Sequence, residues 1–173
     1  MAQVNYSKNG LVFIKKQSGT GVTSISIDNC FSSKYSHYKI IGDIETSGVL
    51  TDINAKLRVG GVDTSTNIYS YQYMLGSSTV VVGARATSQA SMFYLLGTRA
   101  TGLREMSISE IRNPFQTEYT TSVSMFPQGS NGDLNCDFFV NSTTTTTSFD
   151  GFSTIAGTGT LTGTVYVYGY VNS

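Results

Sequence analysis

The sequence predicts an all-β protein, a jelly-roll-like antiparallel β-sandwich formed by a single domain. Three observations predict it. First, residues 160–171 alternate strictly: Leu161, Gly163, Val165, Val167, Gly169 and Val171 share one face, and Thr160, Thr162, Thr164, Tyr166, Tyr168 and Tyr170 share the other. A period of two sustained over such a length is a β-strand. Second, the composition suits strands and turns: 11 Tyr, 9 Phe and 18 Gly, against 2 Pro and no Trp. Aromatic residues fit pleated, half-buried surfaces, and glycine closes the turns between them. Third, short apolar runs recur between Gly, Ser and Asn clusters, and no stretch carries a sustained helical period. A chain of 173 residues makes one domain that buries roughly 70% of its unfolded surface, so it needs no disulfide to hold a core. Residues 1–10 are polar apart from isolated Val4 and Tyr6 and read as an N-terminal arm; residues 11–173 read as the sandwich.

The elements follow in order. Residues 11–16 and 22–28 are two strands, and Ser18-Gly19-Thr20-Gly21 between them makes a hairpin candidate. Residues 31–38 connect to a strand at 38–46, with Tyr38, Ile40, Gly42 and Ile44 on one face. Ile53, Ala55, Leu57 and Val59 alternate with Asn54, Lys56 and Arg58 in the next, and Gly60-Gly61 closes it. Tyr69, Tyr71 and Tyr73 share one side of a strand at 68–75. Short strands are expected at 79–85 and 91–96, ended by Gly97. Residues 105–112 fit either a helical turn or a strand, and Pro114 ends them because the residue before a proline is driven out of helical geometry. Strands at 117–126 and 134–140 flank a loop at 128–133, and the threonine run 143–147 reads as a further strand. This gives about ten strands and no linker long enough to divide domains.

Charge and reactive groups exclude several function classes. Charged residues make up 13% of the chain, against about 25% in ordinary domains. The formal net charge is zero and Lys and Arg are scattered, so no nucleic-acid-binding patch is expected. No apolar run reaches membrane-spanning length, and residues 1–6 lack the pattern of a signal peptide. His37 is the one histidine and reads as an exposed loop residue; Cys30 and Cys136 read as small buried hydrophobes, though a disulfide between them stays open. The close carboxylates Asp43 and Glu45 read as the wet face of a strand, and Asn131-Gly132-Asp133 lacks the rest of a calcium loop. No catalytic, cofactor-binding or metal-binding set emerges, so neither an enzyme nor a cofactor is expected.

What remains is surface for contact. Neither face of residues 160–171 carries a charge, where an ordinary one-sided sheet would show Lys or Glu on its wet side. Tyr166, Tyr168 and Tyr170 are therefore expected at a protein interface, with broad rings and a hydroxyl at each tip. Tyr69, Tyr71 and Tyr73 are the candidates for stacking on sugar rings, with packing between the sheets as the alternative.

Several stretches, taken together, resemble small β-sandwich structural proteins and fibre-tip modules of tailed bacteriophages, of the type found with marine and cyanobacterial hosts. They are Gly10-Leu11-Val12-Phe13-Ile14, the run from Val22 through Asp28-Asn29-Cys30-Phe31 to Ile40, Leu57-Arg58-Val59-Gly60-Gly61-Val62-Asp63, Ile111-Arg112-Asn113-Pro114-Phe115 and Ser148-Phe149-Asp150-Gly151-Phe152, followed by the tyrosine strand. Cys30 departs from the apolar residue expected there. The resemblance implies a virion component without enzyme activity. The expectation is a capsid decoration or cement protein, a homotrimer contacting the major capsid protein; the alternative is a tail-fibre or tail-tip module binding a host glycan. The chain shows no coiled-coil or collagen-like stalk, which favours the stand-alone decoration module.

Overall fold

The computed structural model describes residues 10–47, 52–77, 79–97, 105–130 and 133–171. The expected arm, apart from Gly10, lies outside them. Thirteen strands occur among the described residues: β1 (Leu11–Val22), β2 (Ser24–Ile27), β3 (His37–Thr46), β4 (Ile53–Val59), β5 (Val62–Asp63), β6 (Tyr69–Ser77), β7 (Val80–Gln89), β8 (Met92–Phe93), β9 (Glu105–Arg112), β10 (Thr121–Ser130), β11 (Asp133–Thr143), β12 (Gly151–Ala156) and β13 (Leu161–Tyr170). They form two antiparallel sheets packed as a sandwich. The large sheet has eight strands in the order β1-β13-β3-β9-β10-β11-β6-β7, and the small one runs β2-β12-β4-β5, with β8 also on β4.

The alternation in the sequence becomes the two faces of each sheet. Tyr38, Ile40 and Ile44 of β3 and Leu161, Val165 and Val167 of β13 face inward. They meet Ile25 and Ile27 of β2, Ile53, Ala55 and Leu57 of β4, and Phe152 of β12 in one main core. Phe149 and Phe152 are both fully buried, and Phe31 stacks on Phe152 at 5.8 Å, so the Asp150-Gly151 corner is anchored by rings on either side. Gly60 and Gly61 both have positive φ, 58° and 80°, the geometry of a two-residue hairpin turn, and it joins Val59 to Val62.

The small sheet covers only part of the large one. Beyond it, residues 94–97 form a buried coil over β9, β10 and β11. A buried coil needs partners for its backbone. The Leu95 carbonyl accepts from the hydroxyls of Ser109 and Ser124, inward-facing residues of β9 and β10. Tyr94, Phe126 and Phe139 form a satellite core there, with Tyr73 and Leu75 against it.

Three expectations need correction, and one left open is resolved. The hairpin at 18–21 does not form. β1 runs on through those glycines as the edge partner of β13, with a register shift between Gly19 and Val22, and the chain then crosses to the small sheet as β2. Glycines there make a bulge and a corner instead of a turn. The threonine run is not a strand beyond Thr143, because its own groups take over: Thr143 Oγ1 donates to the Thr145 carbonyl at 2.9 Å, and Thr145 and Thr147 share a hydroxyl hydrogen bond at 2.9 Å. The strand expected at 91–96 shrinks to Met92–Phe93, and its remainder is the buried coil. Residues 105–112, left open between helix and strand, form β9 in the middle of the large sheet.

Candidate interaction surface

The outward face of the large sheet takes alternate residues from each strand. β13 contributes Thr162, Thr164, Tyr166, Tyr168 and Tyr170, all half-buried, while its Leu161, Val165 and Val167 are in the core. The sequence placed the three tyrosines on one face, and they lie there, held by neighbours on both sides. Phe13 of β1 packs edge-on against Tyr168 at 5.6 Å, and the Tyr170 ring stacks on His37 at 4.3 Å. The tyrosines are thus covered from the sides within the chain and open outward.

Strand register carries this surface onward. Tyr166 lies beside Ile41 of β3, which lies beside Ile108 of β9, then Met125 of β10, Phe138 of β11 and Met74 of β6. None of these six is charged; at the β1 edge the row continues into the exposed Lys16. Val123 and Val140 flank it on one side, and Met106 flanks it on the other. Met74, Met106 and Met125 are 53%, 61% and 62% exposed, so this is bare apolar surface. Exposed apolar patches often mark contact sites on folded proteins, which makes this row the candidate. Sequence reasoning found its tyrosine end alone.

A polar cluster borders the tyrosine end. His37 Nε2 lies 2.8 Å from Glu110 Oε2, Lys39 Nζ lies 3.7 Å from Glu110 Oε1, and the Tyr170 hydroxyl donates to Glu110 Oε1 at 2.6 Å. Burial, together with the Glu110 carboxylate, pushes the Tyr170 phenol up to about 12. It stays protonated as a donor and is a poor nucleophile. His37, expected in an exposed loop, opens β3 and is half-buried against this pair.

The small sheet's outer face is organised differently. Arg58 is the hub: its Nε reaches Asp28 at 2.6 Å, its Nη1 pairs with Asp63, and its Nη2 donates to the Gly61 carbonyl. Ser153 donates to Asp63 at 2.7 Å, and the Gly60 amide donates to Asp150 at 2.8 Å. Three separate stretches of the sequence (the Asp28, Arg58–Asp63 and Asp150 segments) therefore converge on one polar network, with Arg58 ion-paired to Asp28 and Asp63. A guanidinium occupies the place among these carboxylates that a cation would need, and no metal-binding group of three ligands occurs among the described residues.

The remaining candidates are placed as follows. Tyr69 is fully buried, and its hydroxyl accepts the Leu57 amide at 2.8 Å, which removes it from any sugar-binding set. Tyr71 and Tyr73 are half-buried and stack on each other at 6.1 Å, with Tyr73 also against Phe139 at 5.5 Å. Both cysteines are free. Cys30 is buried as expected, and desolvation pushes its thiol up to about 12; Cys136 is exposed, contrary to expectation, because it sits at an outward position of β11. No protein-family profile matches the chain, and no curated protein matches it in sequence.

Proposed function

We propose that this chain is a non-enzymatic structural subunit of a phage virion, acting as a decoration or cement protein on the capsid surface. The observation that carries the reading is the apolar row across the outward face of the large sheet, which runs from Tyr166 to Met74 without a charged residue. Exposed apolar side chains aligned across a sheet suit contact with another protein. The chemistry points the same way. The one histidine rests on Glu110 and Tyr170, and Cys30 lies buried with its thiol at about 12, so these two do not form a Cys–His nucleophile pair. The resemblance to small phage structural proteins supplies the virion setting and the major capsid protein as partner. Quantitative proteomics of purified virions tests it. Hundreds of copies per particle are expected. A few to a few dozen would move the protein to the tail, and absence from the particle would overturn the reading.

A further inference from the structure

We infer that the free edge of β7 pairs with β7 of a second copy, strand against strand and antiparallel, about a two-fold axis that passes beside Gly83 at right angles to the sheet. The inference goes beyond the virion reading and does not depend on it.

The other sheet edges are guarded and β7 is not. An open strand edge presents unpaired amides and carbonyls to any other strand, and folded proteins block it with short strands, bulges or charge. In the small sheet the edge strands β2 and β5 have 4 and 2 residues. In the large sheet β1 is interrupted by register shifts at Phe13/Lys15 and Gly19/Val22, exposes Lys16, and has Lys15 turned onto the Asp28 carbonyl at 2.6 Å. β7 lacks all of these over residues 80–86. Its register against β6 is unbroken from Val80 to Ala86, and Arg85 is its one charged residue. Val80, Val81 and Val82 are 57%, 73% and 48% exposed. Gly83 lies beside the outward Met74, so Val81, Gly83 and Arg85 face outward while Val80, Val82, Ala84 and Ala86 face the other way. Bare valine therefore stands on both sides of an open edge.

The residues of that run fit their own image. Gly83 is the midpoint of 80–86, so antiparallel pairing centred there uses every residue of the unbroken stretch. Val80 then lies beside the partner subunit's Ala86, and Val82 beside the partner subunit's Ala84, so each valine on that side meets an alanine. On the outward side Val81 lies beside the partner subunit's Arg85, whose aliphatic stem covers it while the guanidinium stays in water. The two arginines are four residues apart along the strands, about 14 Å, farther than the screening length of about 10 Å, so no like charges meet. The same centre joins the apolar rows. Gly83 continues the row beyond Met74, and its image leads into the row of the second copy. A two-fold also consumes both open edges at once and leaves the guarded β1 edges at the ends. Head-to-tail pairing of β7 on β1 would need the bulged, lysine-bearing strand and would propagate without closing. A contact of one strand pair is smaller than the roughly 800 Å² per partner of a standard interface, so pairing rises with concentration.

The test is sedimentation equilibrium with amide exchange on the purified full chain over a range of concentrations, kept reduced because Cys136 is exposed. The average mass is expected to climb from one chain toward two and stop there. The amides of residues 80–86 are expected to slow as it climbs, and those of β1 to stay as they were. Val81→Lys sets a lysine beside the partner subunit's Arg85 and is expected to keep the melting midpoint but remain at the single-chain mass where the unsubstituted chain pairs. Val81→Lys/Arg85→Glu sets opposite charges side by side across the contact and is expected to pair again. Within one chain the two positions are about 14 Å apart, so the rescue reads contact between copies. A single-chain mass at every concentration overturns the inference, and so does growth past two chains. Slowed exchange on other strands but not on β7, a Val81→Lys chain that pairs as well as the unsubstituted one, or a double variant that stays single overturns it too. Should Val81→Lys misfold, the exchange pattern of the unsubstituted chain decides alone. A chain that pairs in this way but is missing from virions would remove the capsid reading and leave this contact standing; a chain that never pairs but is present in hundreds of copies per particle would do the reverse.

Discussion

Among single residues, the two thiols offer the sharpest contrast. Cys30 is buried, donates to the Ile27 carbonyl at 3.4 Å and has its thiol pushed up to about 12 by desolvation, whereas Cys136 is exposed. A thiol reagent is expected to modify one cysteine per native chain, Cys136, and both after denaturation; two rapid equivalents in the native state would place Cys30 elsewhere. Two tyrosines make a pH prediction. Burial raises Tyr69 from its ordinary 10.0 to about 12, and burial with Glu110 does the same for Tyr170. A phenol raised in the folded state favours folding fully below its unfolded value and loses that contribution as pH climbs through the folded one. Stability is therefore expected to fall between pH 10 and about 12. Tyr69→Phe, which removes the inner of the two groups, should flatten part of that fall in an alkaline denaturation series. Gly163 is a third case. Its φ is 150°, and a Cβ there would lie 2.1 Å from the Asp43 carbonyl, so Gly163→Ala is expected to destabilise by more than about 1 kcal/mol in chemical denaturation.

The strands differ in how far the sequence could announce them. β3, β4 and β13 are legible because each has one face in the core and one toward solvent, so local alternation records both. β2 was expected as a strand but with the wrong partner, and β12 was missed, because both are short and their partners are remote: β12 sits between β2 and β4, and no nearby residue reports that pairing. The coil at 94–97 looked like a strand because burial demands apolar residues whatever the backbone does. The interaction surface was half legible for a similar reason. Its tyrosines lie on one strand, but Ile41, Ile108, Met125, Phe138 and Met74 come one each from five others. Single apolar residues on the wet side of separate strands form no pattern until register aligns them. Two element-level outcomes follow. Phe152→Ala empties a site that joins β12 to the main core and is expected to cost about 3–5 kcal/mol, which lowers the melting midpoint by roughly 6–20 °C. β7, exposed along nearly its whole length and paired only with β6, is expected to exchange its amide protons faster than β3 or β13, which have partners on both sides. Equal protection across the sheet would contradict that order.

The molecule as a whole is closed by its last strand. β13 lies between β1 and β3, so the large sheet has no continuous left half until the end of the chain arrives. It adds Leu161, Val165 and Val167 to the main core, and Gly21 and Ser18 of β1 are held by hydrogen bonds to Thr162 and Thr164. Without it, β1 would have no hydrogen-bonded partner in the large sheet, and the inner faces of β2 and β3 would be open to water. The strands β4 to β8 between them cannot compensate, because they attach to other members of the two sheets. Pairing β1 with β13 also closes a long loop, an entropic cost met before the contacts that offset it form. Folding is therefore expected to be slow for the chain's size, in the range of milliseconds to seconds, with a single late phase in which near-ultraviolet tyrosine ellipticity appears. Truncation after residue 160 is expected to abolish that signal and the cooperative melting transition, leaving an aggregation-prone chain. By contrast, Val81→Lys on β7 changes only the far edge and should leave both intact. A truncated chain that still melts cooperatively would mean that β3 to β12 form a folding unit by themselves and that β13 is added to it, not required by it.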